Sequence, residues 1–130
     1  RRQRDWECRL SPSHHILVHG EVARYLLNPP EVLVAAEDLI DGDLIKVDTQ
    51  LREVTYIHLL LGSHQVLWAN GIETESFHPS NAALSTLEDT DRMRLLSRYP
   101  ELEMDPHAYG GYARRNLSQS EAAILMYEAA

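Results

Sequence analysis

The chain has 130 residues, of which 44% are hydrophobic and 25% are charged, and this balance is typical of one globular domain. Its formal net charge of −8 argues against a nucleic acid as the main partner, because no basic surface offsets the repulsion from phosphates. No apolar run approaches the roughly 20 residues that span a bilayer, so no membrane partner is expected. Because Arg1 is not an initiator methionine and no signal-peptide pattern follows it, we expect the chain to begin within a longer protein.

The first predicted elements are strands separated by a bend. Residues 15–18 read His-Ile-Leu-Val, a strand-forming run. Pro12 cannot donate to a strand ladder, so residues 11–13 are predicted to bend. This bend would present Ser11 and His14 side by side. A further short strand is predicted over residues 22–27.

The next segment combines one helical turn with an extended run. Residues 35–41 are rich in Ala, Glu and Leu and favour a helical turn, for which Gly42 is a suitable left-handed stop. Extended structure is predicted to resume over residues 44–47.

Residues 53–77 predict a three-stranded meander. Two apolar, β-branched and aromatic runs flank Gly62, and a third follows Asn70-Gly71, a dipeptide that tolerates positive φ at both centres of a hairpin turn. Residues 59–61 are all Leu, so the first strand is predicted to be buried on both faces. Water would then have little access to His58.

The character of the sequence changes after residue 80. Residues 89–99 carry acidic side chains first and arginines later, which suits a helix dipole, and Pro100 marks the stop. Ser118 and Glu121 form a capping-box pattern at the start of another helix. We therefore predict a mainly β fold, with a β body over residues 1–80 and a helical tail over residues 81–130 that packs on it or shields one edge.

The seven histidines are the main candidates for chemistry, and five of those in or beside the β body are singled out. They are His14, His15, His58, His64 and His78. A buried imidazole bonded to a backbone carbonyl is the structural alternative for each. A metal site using His14, His58 and His64 is another alternative, although no pair has the regular spacing of a metal-binding helix or strand.

Two further nucleophiles were considered from the residues alone. Ser11 and His14 would be a nucleophile and a base, with Asp38 or Asp41 available to orient the imidazole. Cys8, the only cysteine, excludes an internal disulfide, and a packed thiol is favoured over a reactive one. No cofactor or metal is expected.

Several motifs, in order, resemble those of Hint domains, the autoprocessing fold shared by Hedgehog C-terminal domains and inteins. Ser11-Pro12-Ser13-His14 resembles the Thr/Ser-x-x-His motif, and residues 36–43 resemble the A-x-D-L-x-x-G-D stretch. Residues 54–71 are similar to the late strand pair that ends in Asn-Gly, and residues 75–79, Glu-Ser-Phe-His-Pro, resemble a bacterial subfamily. The resemblance covers about residues 5–80 and implies the C-terminal part of a Hint-like β fold, incomplete at its N-terminus.

The resemblance also implies a mechanism and a set of site residues. A Cys or Ser at the domain's first position, upstream of this match, would attack the preceding carbonyl to form a thioester or ester. His14 would distort the scissile amide and protonate its nitrogen, and the Ser11 hydroxyl would support the site. His58 falls where many inteins have an activating aspartate, and His64 lies close to a histidine of the same intein block. This chain alone would be inactive toward its own N-terminus.

The resemblance implies cleavage or transfer without full splicing. Glu75-Ser76 occupies the region where inteins have their closing His-Asn pair, so no asparagine cyclisation is expected. The expected partner is the protein's own upstream polypeptide. Proteins that carry this subfamily are often exported, so export of the full-length protein is also expected. An exposed sheet edge would also invite dimerisation. The alternative from another functional class is a non-catalytic β scaffold or interaction module with structural histidines.

Overall fold

A five-stranded mixed sheet forms the centre of the described part of the chain. The structure is a computed structural model and describes residues 9–19, 31–49, 58–81 and 84–129. The strands are β1 (His15–His19), β2 (Glu31–Ala35), β3 (Val66–Ala69), β4 (Ile72–Glu75) and β5 (Arg115–Asn116). Their order across the sheet is β3-β4-β1-β2-β5, and every neighbouring pair is antiparallel except β2 with β5.

Two α-helices follow the first four strands, α1 (Asp89–Arg98) and α2 (Gln119–Ala129). Short 3-10 helices cover Ala36–Leu39, Pro79–Asn81, Leu84–Thr86, Pro100–Glu103 and Pro106–Tyr109. None of the helices in the described ranges is long and apolar enough to cross a membrane. The mainly β fold with a C-terminal helix predicted from the sequence is confirmed.

The β3-β4 hairpin forms where the sequence predicts it. Asn70 has φ 50° and Gly71 has φ 80°, which is the left-handed pair that a tight hairpin turn requires. The turn sets the register, in which Val66 lies opposite Glu75 and Ala69 lies opposite Ile72. Glu75 is therefore the last residue of β4, at the end of the strand that is farther from the turn.

The register gives the two faces of the sheet different chemistry. Ile16 of β1 lies opposite Thr74 of β4, and successive side chains of a strand alternate between faces. Ile16 therefore shares one face with Val32 and Val34, the apolar face. His15 lies opposite Ala35 and shares the other face with Glu75, which its ring contacts.

Helix α2 covers the apolar face. Ala122 and Leu125 of this helix pack with Val32, Val34 and Leu39 in one buried cluster. A reciprocal capping box begins the helix as predicted, because the Glu121 N–H donates to Ser118 Oγ and the Ser118 N–H donates to Glu121 Oε1. The helical tail thus packs on the sheet, and it also supplies the edge strand β5, which the sequence did not indicate.

A second buried cluster lies beyond β4. Phe77, Leu95 of α1 and Leu102 are its buried members, and Leu60 packs against it. The stop of α1 agrees with the prediction, because Pro100 follows immediately and starts a 3-10 helix.

The prediction of a first meander strand buried on both faces is wrong for residues 58–61. No strand is assigned there, the Leu59 side chain is 55% exposed, and His58 is exposed to water. Leu60 packs on the second cluster while Leu59 points to solvent, so the apolar run has one buried side only. An isolated backbone hydrogen bond holds this segment against the residues after β4, because the Phe77 N–H donates to the Leu59 C=O at 2.8 Å.

Other predicted segments have different outcomes. Gly42 has the left-handed φ of 79° that the sequence predicts, but the helical turn already ends at Leu39, where Ile40 is extended, so Gly42 is not its stop. No strand forms over residues 44–47, because the Asp41 carboxylate accepts the Asp43 and Ile45 N–H groups and closes a loop there. Cys8, residues 22–27 and residues 53–57 lie outside the described residues.

Candidate functional site

A buried carboxylate, that of Glu75, lies at the end of β4 on the face of the sheet that also carries His15. The His15 backbone N–H and ring Nδ1 donate to Oε2 at 2.6 Å and 2.7 Å. His64 Nε2 and Asn81 Nδ2 donate to Oε1, both at 2.8 Å. Burial by itself raises the pKa of Glu75, but the hydrogen bonds from His15 and His64 and the His15 charge outweigh it and lower this pKa to about 2. The carboxylate is therefore ionised at any physiological pH.

His64 is held in one tautomer. Its Nδ1 accepts the backbone N–H of Ala113 at 2.9 Å, so this nitrogen carries no proton. Nε2 then carries the proton that is donated to Glu75. The side chain of His64 is fully buried, and its ring contacts the edges of His78 and Tyr112. His64 thus links the loop before β5 to the end of β4.

His14 is the residue of the site with an unused polar atom. Its Nε2 is buried and has no hydrogen-bond partner among the described residues. Burial lowers the pKa of His14, the Glu75 charge opposes this, and the neighbouring His15 and His58 lower it further. A buried ring nitrogen with no partner among the described residues is suited to hydrogen-bond a group from outside those segments.

The backbone around His14 is fixed by three hydrogen bonds. The His14 N–H donates to the Ser11 C=O at 3.0 Å, which closes the predicted bend. The His14 C=O accepts the Ala36 N–H at 2.8 Å, and the next N–H, that of His15, donates to Glu75. Ser11 therefore lies in the same turn as His14.

His58 lies at the rim of this site. Its ring is exposed and packs at 4.7 Å, centroid to centroid, on Phe77. It is close enough to His14 for its charge to affect the pKa of His14. The four residues singled out by the resemblance thus divide into His14 and His64 beside Glu75, Ser11 in the turn and His58 at the surface.

A second histidine arrangement adjoins the first. His78 Nδ1 accepts the Ser80 N–H at 3.1 Å and lies 2.9 Å from Ser80 Oγ, while Nε2 donates to the Gly110 C=O at 2.8 Å. Ser80 Oγ also hydrogen-bonds the Tyr112 hydroxyl. Burial lowers the pKa of His78, although the bond to Gly110 opposes this. His78 therefore serves as a structural connection between the end of β4 and the loop before β5.

Sequence reasoning missed Glu75 as the carboxylate that orients an imidazole. Asp41, which it offered instead, uses its Oδ1 to accept the N–H groups of its own loop. Strand parity places His15 opposite Glu75 only once Ile16 is known to lie opposite Thr74. That pairing needs the β1-β4 register, and residues 58 apart in sequence give no local indication of it.

No three His, Cys, Asp or Glu side chains within the described ranges are arranged to hold a metal ion. The three imidazoles of the metal hypothesis occupy different surroundings, with His64 bonded on both ring nitrogens and His58 turned toward solvent. The described residues therefore do not support that hypothesis.

Comparison with known proteins identifies the family. A model of the Hint domain family matches residues 3–81, which is more than half of the chain. No curated protein and no solved structure matches the chain. The chain belongs to the Hint domain family, and its mainly β fold with a C-terminal helix is consistent with this membership.

Proposed function

We propose that this chain is the C-terminal part of a bacterial autoprocessing Hint domain, which cleaves the peptide bond at the domain's own N-terminus. The observation that carries the proposal is the buried Nε2 of His14, which has no hydrogen-bond partner among the residues that the structure describes. Leaving a buried polar atom unpaired costs about 1–3 kcal/mol. We therefore infer that a group from outside the described residues pairs with this nitrogen in the working protein. The scissile peptide of the upstream polypeptide is that partner.

The reaction has two balanced steps. The thiol or hydroxyl of an upstream Cys or Ser adds to the preceding carbonyl carbon and loses its proton to a base. The C–N bond then breaks, the amide nitrogen leaves as an amine with a proton from protonated His14, and a thioester or ester remains. The proton held by the base then returns to His14. Water attacks that ester, which releases the upstream segment as a carboxylic acid and returns the proton to the thiol or hydroxyl. Another nucleophile in place of water gives transfer.

The described residues fit these roles to different degrees. His14 is the acid that protonates the leaving nitrogen, and Ser11 in the same turn supports the site through its hydroxyl. His58 is exposed at the rim, and its proposed role is to accept the proton of the upstream nucleophile. His64 bonds through both ring nitrogens, so it holds the site together rather than exchanging protons.

Cleavage is proposed without splicing. Splicing ends with cyclisation of an asparagine, and the corresponding region here carries Glu75 and Ser76. Both side chains are already committed, Glu75 to four donors and Ser76 Oγ to the Gln65 N–H at 2.9 Å. The partner is therefore the protein's own upstream polypeptide. Nucleic acids and membranes are not proposed as partners.

Self-association is a separate proposal that follows from the sheet edge. Strand β3 is an outer strand of the described sheet, and its Trp68 side chain is 69% exposed. No other strand of the described residues pairs with the outer edge of β3, and such an edge with an exposed aromatic residue favours pairing with a second copy. Sedimentation velocity of wild type and Trp68→Lys would test this, because a dimer held at β3 should become a monomer in the variant. A wild-type monomer would remove the proposal.

A non-catalytic scaffold is the second candidate. His15, His64 and His78 all satisfy hydrogen bonds inside the fold, as structural histidines do. In that case the Nε2 of His14 would be paired with a group outside the described residues, and no bond would be cleaved.

Intact mass spectrometry of the product of the full open reading frame separates the two candidates. Incubation with dithiothreitol should accelerate the appearance of two fragments that meet at a Cys, or at a Ser with hydroxylamine as the nucleophile. His14→Ala should abolish this cleavage while the protein still unfolds cooperatively. A single stable mass for the folded wild type in all conditions would favour the scaffold.

A further inference from the structure

The Glu75 carboxylate receives more donors than any other group that the structure describes in this site. Its two oxygens accept four hydrogen bonds from three separate segments, namely the start of β1, the residue His64 before β3 and the 3-10 helix that contains Asn81. All four distances lie between 2.6 Å and 2.8 Å. Glu75 itself is only 5% exposed, so water cannot replace these donors readily.

The groups that donate to Glu75 cannot act as acceptors, so an amide side chain at position 75 cannot replace the carboxylate. The His15 backbone N–H only donates, and His64 must donate from Nε2 because Ala113 occupies Nδ1. A glutamine at position 75 would turn its NH2 group toward one of these two N–H groups in either orientation. Only an ionised carboxylate therefore satisfies the whole arrangement.

The link to His14 is direct. The N–H that Glu75 accepts belongs to the peptide group between His14 and His15. This bond and the Ala36 N–H, which donates to the His14 carbonyl of the same peptide group, together fix the peptide plane that follows His14. The bond from the His14 N–H to the Ser11 C=O fixes the plane before it. The direction in which the His14 side chain leaves the backbone therefore depends in part on Glu75.

We propose that Glu75 is a positioning residue of the cleavage site, which fixes the His14 backbone and the His64 ring through its four hydrogen bonds. The proposal rests on the proposed function, because it assigns Glu75 a task in that reaction. Glu75 does not exchange a proton itself. It orients His14 toward the scissile amide.

The electrostatic effect on His14 supplies a readout that a purely structural role would not move. The groups whose charges act on the His14 ring are Glu75, His15 and His58, and of these Glu75 raises its pKa. Removal of the Glu75 charge should therefore lower the pKa of His14. If His14 acts as an acid, the alkaline limb of the pH profile for cleavage shifts to lower pH in the same variant.

The test compares Glu75→Gln with Glu73→Gln in the product of the full reading frame. Glu73 is on the same strand and the same face, and it pairs with the half-exposed His19 at 3.4 Å, so this control removes an equal charge outside the site. We expect Glu75→Gln to slow thiol-induced cleavage by about 10- to 100-fold, which is typical of a misplaced catalytic group. Glu73→Gln should cleave within about twofold of wild type, as expected for a surface charge. Histidine-labelled NMR titration should show a lower pKa for His14 only in Glu75→Gln.

A second variant covers the case in which Glu75→Gln does not fold. Glu75→Asp keeps the charge but withdraws the carboxylate by one methylene, about 1.5 Å, so it cannot reach both sets of donors. Cleavage should slow while the pKa of His14 stays close to that of wild type. Wild-type cleavage rates in the folded position 75 variants, whatever the His14 titration, would overturn the positioning role and leave the proposed function standing. A wild-type protein that does not cleave at all would overturn both.

Discussion

His64 and Glu75 are joined by a 2.8 Å hydrogen bond from ring Nε2 to carboxylate Oε1, and the Ala113 N–H determines which ring nitrogen holds the proton. One imidazole thereby connects the end of β4 with the loop that leads into β5. The bond matters for stability and for the proposed site together, because the same carboxylate holds the peptide group after His14.

Removal of the His64 ring should destabilise the fold. His64→Leu leaves the Ala113 N–H unpaired and Glu75 Oε1 with Asn81 as its remaining donor, so the free energy of unfolding should fall by about 2–5 kcal/mol. His64→Gln should lose less, because its amide nitrogen can still donate to Glu75. Urea denaturation measures both. The control His19→Leu, at a half-exposed ring, should change stability by no more than about 0.5 kcal/mol. Equal losses for the Leu and Gln variants would contradict the assigned tautomer.

Stability should fall steeply in acid because of Glu75. Its pKa is lowered from 4.5 in the unfolded chain to about 2 in the fold, so the fold binds fewer protons than the unfolded chain in this range. The contribution, roughly 3 kcal/mol, is complete above about pH 4.5 and is lost as the pH falls toward 2. Urea midpoints from pH 6 to pH 2 should show this slope in wild type. Glu75→Gln should be less stable at pH 6 and have a shallower slope, and an unchanged slope would contradict the prediction.

The hairpin turn should distinguish two glycines. Gly71 has φ 80°, so Gly71→Ala forces a left-handed alanine and should cost about 1–2 kcal/mol. Gly62 is not among the positive-φ glycines, and a Cβ there would meet no atom within 4 Å. Gly62→Ala should therefore be neutral or stabilise the fold by up to about 1 kcal/mol. Thermal unfolding of the two variants is a sufficient measurement, and equal destabilisation would argue against the turn.

Two leucines should respond differently to truncation. Leu102 is 0% exposed in the second buried cluster, so Leu102→Ala should lower the free energy of unfolding by about 2–5 kcal/mol. Leu59 is 55% exposed, and Leu59→Ala should cost no more than about 0.5 kcal/mol. A large loss at Leu59 would mean that the leucine run is buried on both faces after all. Denaturation in guanidinium chloride compares the two directly.

Local signals in the sequence were sufficient for the elements that depend on near neighbours. Asn70-Gly71 predicted the hairpin because the two positive φ values are properties of these residues themselves. Ser118 and Glu121 predicted a helix start because a capping box closes within four residues. The motif resemblance also led to the Hint domain family and brought His14 to attention.

Tertiary structure alone decided which groups surround His14. Glu75 meets His15 because β1 pairs with β4, and a register between distant strands leaves no periodic trace in either strand. The leucine run at 59–61 looked buried because its composition is apolar throughout, yet only packing against Phe77, Leu95 and Leu102 determines which of its side chains are covered. The burial of a side chain and its hydrogen bonds to distant segments depend on tertiary contacts from the whole fold. Sequence therefore determined the local turns, caps and family motifs of this chain, and the fold determined the carboxylate on which its candidate site depends.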